Sequence, residues 1–166
     1  KRSPLWPPPI FSATFPVEVK SLADKVQHNP IHVQGTPLGT ANADIDHVIH
    51  LVGNHDRVNA IVNLLLANPD APTLIFAKTR ADVAKHAQEL DRAGFRVSPL
   101  SGDMEQRERE RALAAFKSGS LVALVATDVA ARGLDVQGIM RVIHAEPPLD
   151  PDSYTHRSGR TGRAGM

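Results

Sequence analysis

Apolar positions along this chain come in blocks whose spacing changes from one block to the next. Val19, Leu22, Ala23 and Val26 fall at helical intervals and predict a short helix over Val17–Val26. Ile31–Val33 reads as a short strand. From Ile45 onward the blocks alternate. Ile45–Val52 is predicted as a strand, and Arg57–Leu66 as a helix with Val58, Ile61, Val62 and Leu65 on one face and Pro69 past its end. Thr73–Phe76 is apolar enough for a strand buried on both faces. Thr79 then reads as a helix N-cap, with Asp82 three residues on and Gly94 closing the helix. Arg96–Leu100 is the next strand. Asp103 is predicted to cap a helix over Met104–Lys117 that Gly119 terminates. Leu121–Ala126 and Met140–Ala145 follow as strands. Between them Val129–Arg132 forms a short helix, with Asp128 at the N-cap position and Gly133 at the C-cap position.

Strand–helix–strand repeats of this length predict an α/β fold with a parallel sheet and helices on both faces. Ligands of such sheets bind at the carboxyl ends of the strands. The polar residues obey that rule: Lys78 and Thr79 follow one strand, Ser101–Asp103 the next, Thr127 and Asp128 the third, and Glu146 the fourth. The regular alternation does not reach the first part of the chain. Thr36–Ala43 is rich in Gly, Pro, Thr and Asn and marks a linker. The expected organisation is an N-terminal piece over 1–35, a linker over 36–44 and the α/β domain over 45–166. Residues 1–10 hold four of the thirteen prolines, and Pro7–Pro9 favour an extended end without backbone donors.

Composition narrows the chemistry. At 166 residues with 42% apolar side chains, the chain can bury a core. Nineteen basic residues against eighteen acidic ones mean that any nucleic-acid contact must come from local clustering. Cysteine is absent, which excludes disulfides, thiolate metal sites and cysteine nucleophiles. No apolar run approaches the ~18 residues of a membrane span, so we expect a soluble, cytoplasmic protein with no membrane contact. Aromatic residues make up only 4%, so base-stacking platforms are scarce.

The densest local cluster is Asp152-Ser-Tyr-Thr-His-Arg-Ser-Gly-Arg-Thr-Gly-Arg-Ala-Gly165, in which Arg157, Arg160 and Arg163 recur every third residue. On a helix they would share one side, and the guanidinium fork matches phosphate oxygens. Three glycines among them, each costing about 1 kcal/mol in a helix, suggest either close backbone approach or a non-helical path. A disordered Gly/Arg tail that binds any polyanion is the plainer alternative. His156 sits among the arginines, where a polar link to a neighbouring loop is expected ahead of acid–base chemistry.

Gln106 and Arg109 fall in the first turns of a helix whose N-terminus faces the polar edge, where a phosphate is favoured. The plainer reading is a solvated helix in which Glu105 and Arg109 pair. Asp135 has no capping role and could take a ribose hydroxyl, as carboxylates beside nucleotides do. His47, His50 and His55 lie near Asp44, Asp46 and Asp56, but on a strand His47 and His50 face opposite ways, so no metal site is predicted. The sequence contains no Gly-x-x-x-x-Gly-Lys-Ser/Thr loop and no Asp-Glu-rich strand end for magnesium.

These motifs resemble those of the DEAD-box ATP-dependent RNA helicases. Val125-Ala-Thr-Asp-Val-Ala-Ala-Arg-Gly-Leu-Asp135 resembles motif V, and His156-Arg-Ser-Gly-Arg-Thr-Gly-Arg163 resembles motif VI. Leu74–Arg80 looks like motif IV, Gln106–Arg109 like the Gln-x-x-Arg element, and Phe11–Pro16 like motif III. The resemblance implies a RecA-like domain, incomplete at both ends: the tail of a first domain, a linker, and a second domain up to motif VI. It implies that Arg160 and Arg163 are arginine fingers for ATP, and that Gly133 and Asp135 bind the nucleotide. Thr79, Gly102, Gln106, Arg109 and Thr127 would hold the RNA backbone without sequence readout. His156 and Arg157 would connect the ATP site to neighbouring motifs in the catalytic group, and Ser12 and Thr14 would couple hydrolysis to strand separation.

The implied partners are RNA and the N-terminal RecA-like domain of the same protein, with no DNA. ATP would bind with Mg2+ held by that N-terminal domain, so this segment would be inactive alone. Two other classes compete: a non-catalytic RNA-binding or regulatory module on the same fold, and an unrelated α/β domain for a small nucleotide.

Overall fold

Four short strands form one parallel sheet in the order β2-β3-β1-β4. They are β1 (Thr73–Phe76), β2 (Val97–Leu100), β3 (Ala123–Ala126) and β4 (Arg141–His144). The computed structural model describes residues 17–27, 31, 44–132 and 136–162. The chain divides into two units, Lys1–Thr40 and Ala41–Met166. In the first, α1 runs over Val17–Val26, with Glu18 in its first turn and Lys25 in its last, each at the helix end whose partial charge it offsets. Of the strand expected over Ile31–Val33, only Ile31 is described, and it belongs to no regular element.

In the second unit the central strands β1 and β3 are buried at every position, as their unbroken apolar runs require. Period two divides their side chains between two cores. Leu74, Phe76, Leu124 and Ala126 pack with Ala112 and Phe116 of α4 (Gln106–Lys117) and with Ala130 and Ala131 of α5 (Asp128–Ala131). Ile75, Ala123 and Val125 face the other way, toward Ile61 and Leu65 of α2 (Arg57–Ala67) and toward Val83, Ala87 and Leu90 of α3 (Arg80–Arg92). Burying a side chain such as Leu74 or Leu124 contributes about 1.5–3 kcal/mol. Right-handed crossovers explain the layering: α3 carries the chain from β1 to β2, α4 and α5 carry it back the opposite way, so the helices fall on opposite faces. Pro99 is tolerated because β2 is an edge strand.

The strands end flush. Phe76 is level with both Ala126 and His144, and Leu100 with Ala126. The residues that follow each strand therefore meet along one edge. Arg141 pins the far end of α2, since its guanidinium donates to the Leu64 carbonyl and, at 3.2 Å, to that of Asn68.

Three expectations are corrected. Ile45–Val52 is not a strand; it follows an irregular path, with Val48, Ile49 and Leu51 exposed by 72, 90 and 98%. Strand formation is collective, and among the described residues no neighbouring backbone pairs with this one. The helix after β2 starts at Gln106 with Glu105 as N-cap. Asp103 instead closes a turn, hydrogen-bonded to Ser101, which holds its carboxyl below the usual range. After β3 the cap is Thr127, whose hydroxyl accepts from the Ala130 N–H at 3.3 Å. Asp128 is thereby freed for a different partner.

Candidate functional site

The strand-end edge is built from two kinds of side chain. Its inner part centres on Arg157 in α6 (Pro151–Ser158). Asp150 caps that helix by accepting from the Ser153 N–H at 2.7 Å, and Pro151 takes the first helical position, where its missing donor costs nothing. The Ser153 N–H holds the Asp150 carboxyl below its ordinary pKa. Helical geometry then turns Arg157 inward, where it is only 3% exposed. Its Nε and Nη2 donate to the two carboxylate oxygens of Asp128 at 2.6 and 2.7 Å, and Nη1 donates to the Glu146 carbonyl at 3.0 Å. The guanidinium lies 5.2 Å from the centre of the Phe76 ring, within cation–π range. A planar fork satisfied on three sides can be buried, whereas a lone charge could not.

The stack of His144 on Tyr154, with ring centroids 5.2 Å apart, abuts this clasp. Burial first, and then the Arg157 charge, push the His144 pKa down to about 4, so the ring is neutral at pH 7. Tyr154 also hydrogen-bonds His47, which occupies that imidazole outside any metal cluster. Among the described residues no group of three His, Cys, Asp or Glu is arranged to hold a metal ion.

The helix ends at Gly159, so Arg157 and Arg160 do not share a helical face. Arg160 is half-buried beyond the helix end. It lines a cleft of about 270 Å³ with His156, Arg157, Arg132, Ser153, Asp128, Ala131 and Phe76. Cations from α6 and from the end of α5 thus border one opening, as a phosphate-bearing ligand would require. Arg163, Gly133 and Asp135 lie outside the described residues, as do Ser12 and Thr14.

The outer part of the edge carries the other predicted residues. Thr79 is an exposed N-cap in a capping box: its Oγ1 accepts from the Asp82 N–H at 3.1 Å, and Asp82 accepts from the Thr79 N–H at 3.1 Å. The Thr79 hydroxyl lowers the Asp82 pKa. Gly102 is exposed, and a Cβ there would meet nothing within 4 Å, so the domain itself does not demand glycine at this position. Gln106 donates to Glu110 at 2.8 Å. Arg109 reaches from α4 to the Ala130 carbonyl at 2.6 Å, tying α4 to the carboxyl end of α5 instead of pairing with Glu105 as expected for a solvated helix. Thr127 is buried, with its hydroxyl occupied as the cap. Thr79, Gly102, Gln106, Arg109 and Thr127 all flank the same edge.

Sequence reasoning overlooked a third group. Glu146 was marked only as polar, yet its carboxylate accepts from Arg57, His86 and the Lys78 N–H. The strand-end position was a visible signal; its partners, 60 to 89 residues away, were not. The Asp150–Pro151 start of α6 was legible and was missed.

The chain is thus a parallel α/β domain whose cation-lined cleft lies at the carboxyl ends of its strands, where ligands of such sheets bind. Residues 56–165 match the family model described as the helicase conserved C-terminal domain. The chain belongs to that family, and its likenesses are to DEAD-box members. It is 40% identical to the DEAD-box ATP-dependent RNA helicase RhpA of Helicobacter pylori (strain B128) over 156 residues, 94% of this chain and 32% of that protein. It is 38% identical to the ATP-dependent RNA helicase DbpA of Bacillus subtilis (strain 168) over 157 residues, again 94% of this chain and 33% of that one. It therefore spans about a third of the length of these relatives.

Among solved structures, S. cerevisiae Dbp5 bound to RNA and ADP BeF3 matches with a TM-score of 0.82 at 29% identity, covering 93% of this chain and 41% of that one. A DEAD box protein from the hyperthermophile Methanococcus jannaschii matches with a TM-score of 0.70 at 37% identity, covering 94% and 42%. The fold is that of RecA-like helicase domains.

Proposed function

We propose that this chain is the C-terminal half of the core of an ATP-dependent RNA helicase, active only together with an N-terminal RecA-like domain of the same protein. One observation carries the reading: the Arg157–Asp128 clasp draws motifs V and VI together and leaves Arg160, His156 and Arg132 around a single cleft. Arg160, with Arg163, stabilises charge on a phosphoryl group held by the other domain, and Asp135 and Gly133 hold its ribose side. Arg157 is a positioning residue, since its donors are turned to Asp128 and Glu146. In this reading Thr79, Gly102 and Gln106 meet the RNA backbone directly, and Arg109 and the buried Thr127 hold the same edge. Contacts to phosphate and sugar position a strand without reading its sequence. Ser12 and Thr14 couple the domains.

The cleft suits a phosphate anion. In this reading the accompanying Mg2+ is held by the N-terminal domain. Closure of the two domains on ATP and RNA then bends one strand and opens a short duplex. The proposed setting is cytoplasmic.

The test is ATP hydrolysis, with and without RNA, by the longest natural chain that contains this segment. RNA-stimulated hydrolysis should fall by about 10³ in Arg160→Lys, the scale on which arginine fingers act. RNA binding without hydrolysis in either protein would leave a binding module on this fold and end the catalytic reading.

A further inference from the structure

Glu146 touches both functional sides of the domain, one through its carboxylate and the other through its backbone carbonyl. It directly follows Ala145 at the end of β4, and its carboxylate is largely shielded, with the side chain 17% exposed. Oε2 accepts from the Lys78 N–H at 3.1 Å. Oε1 accepts from Arg57 Nη1 at 3.0 Å and from His86 Nε2 at 3.2 Å, the latter requiring the tautomer with its proton on Nε2. Three donors from the start of α2, the turn after β1 and the middle of α3 thus converge on one group. The backbone carbonyl of the same residue accepts from Arg157 Nη1 at 3.0 Å.

Lys78 immediately precedes Thr79, the N-cap that faces the proposed RNA backbone, and Arg157 lies on the helix that delivers Arg160. The Thr79–Asp82 capping box ties the turn to α3, and the Ala77 N–H bond to the Ala126 carbonyl ties it to the sheet, while the Lys78 N–H is held by Glu146.

We infer that Glu146 is a positioning residue that locks the Lys78–Thr79 turn and α6 into one register, so that a shift of either side is felt by the other. The inference rests on the helicase reading for what the two sides bind, but the lock itself is a property of the domain. A carboxylate is suited to it because it carries only acceptors and can receive several donors at once. Glutamine in its place brings two N–H groups toward Arg57, His86 and the Lys78 N–H, and so opposes part of the cluster.

The experiment compares wild type, Glu146→Gln and Arg57→Met in the longest natural chain that carries this segment. Arg57→Met removes the α2 tie while leaving the bond to Lys78 and the bond to Arg157. Amide hydrogen exchange, read by mass spectrometry, should quicken roughly tenfold in Glu146→Gln in both 77–82 and 151–159, a loss within the range of single-residue coupling effects. Arg57→Met should leave both segments as in wild type.

In the same preparations the apparent KM for RNA should rise roughly fivefold in Glu146→Gln and RNA-stimulated kcat should fall, with the KM for ATP held. Faster exchange in one segment alone, in neither, or equally in Arg57→Met would overturn the lock. So would wild-type RNA stimulation in Glu146→Gln. If the wild-type protein does not hydrolyse ATP, the helicase reading fails, and the exchange comparison still decides the lock.

Discussion

The inner and outer parts of the strand-end edge hold similar polar residues and treat them in opposite ways. Around α6, charge is sunk into the protein: Arg157 is buried, grips Asp128 with two bonds, and lies over Phe76. Along the turns after β1 and β2, Thr79, Arg80, Gly102, Asp103 and Gln106 lie in solvent, and their contacts are local caps or open pairs such as Arg80–Asp103 at 3.4 Å. Desolvated pairs are costly to break from one side, whereas exposed pairs contribute little. The inner part should therefore govern stability, and the outer part should be free to serve binding.

The hardest strain on that contrast is Arg157→Ala. It leaves Asp128 and the Glu146 carbonyl without their partner and should cost about 3 kcal/mol, read as a shift in the denaturation midpoint at constant slope. A double-mutant cycle with Asp128→Ala should recover much of that loss as coupling. If the two losses simply add, the clasp is not the unit described.

His144 sharpens the same side through pH. Its folded pKa of about 4 lies below the ordinary value near 6.5. The unfolded chain therefore binds the extra proton first, and stability falls as pH drops from about 6.5 to about 4, by at most roughly 2 kcal/mol once the accessible part of the ring is allowed for. His144→Phe should flatten that interval. Asp82 and Asp150, whose carboxyls are depressed by their cap bonds, lose their contribution only below about pH 4, so that limb should persist in the variant.

On the outer side the expected effects are smaller. Thr79→Ala removes one cap bond and should cost about 1 kcal/mol, which Thr79→Ser should largely restore. Gly102→Ala should change stability by less than about 0.5 kcal/mol, because the added methyl meets open space. A weaker RNA affinity in that variant, measured by titration in the longest natural chain at fixed salt, would show that the backbone there approaches a ligand closely. Unchanged affinity would remove Gly102 from the interface.

How much was legible varied with the range of the interaction involved. Helices with local start signals came out near their observed bounds: α1 over Val17–Val26, and α3 after its Thr79–Asp82 capping box. So did Thr73–Phe76, whose apolar run suits only a strand covered on both faces. Ile45–Val52 misled because a run rich in β-branched apolar residues states a strand's preference and says nothing about who pairs with it. Asp128 misled because a short carboxylate can cap a helix or clasp an arginine 29 residues away, and only the second partner settles which.

By itself, then, the sequence determined the Thr79 cap, the alternation that makes a parallel α/β domain, and the placing of polar residues after each strand. These follow from contacts within a few residues or from period alone. Tertiary structure alone decided that Arg157 turns inward while Arg160 borders the cleft, and that Glu146 gathers donors from three elements. Burial and hydrogen-bond satisfaction are properties of the surroundings, and residues distant in sequence supply those surroundings.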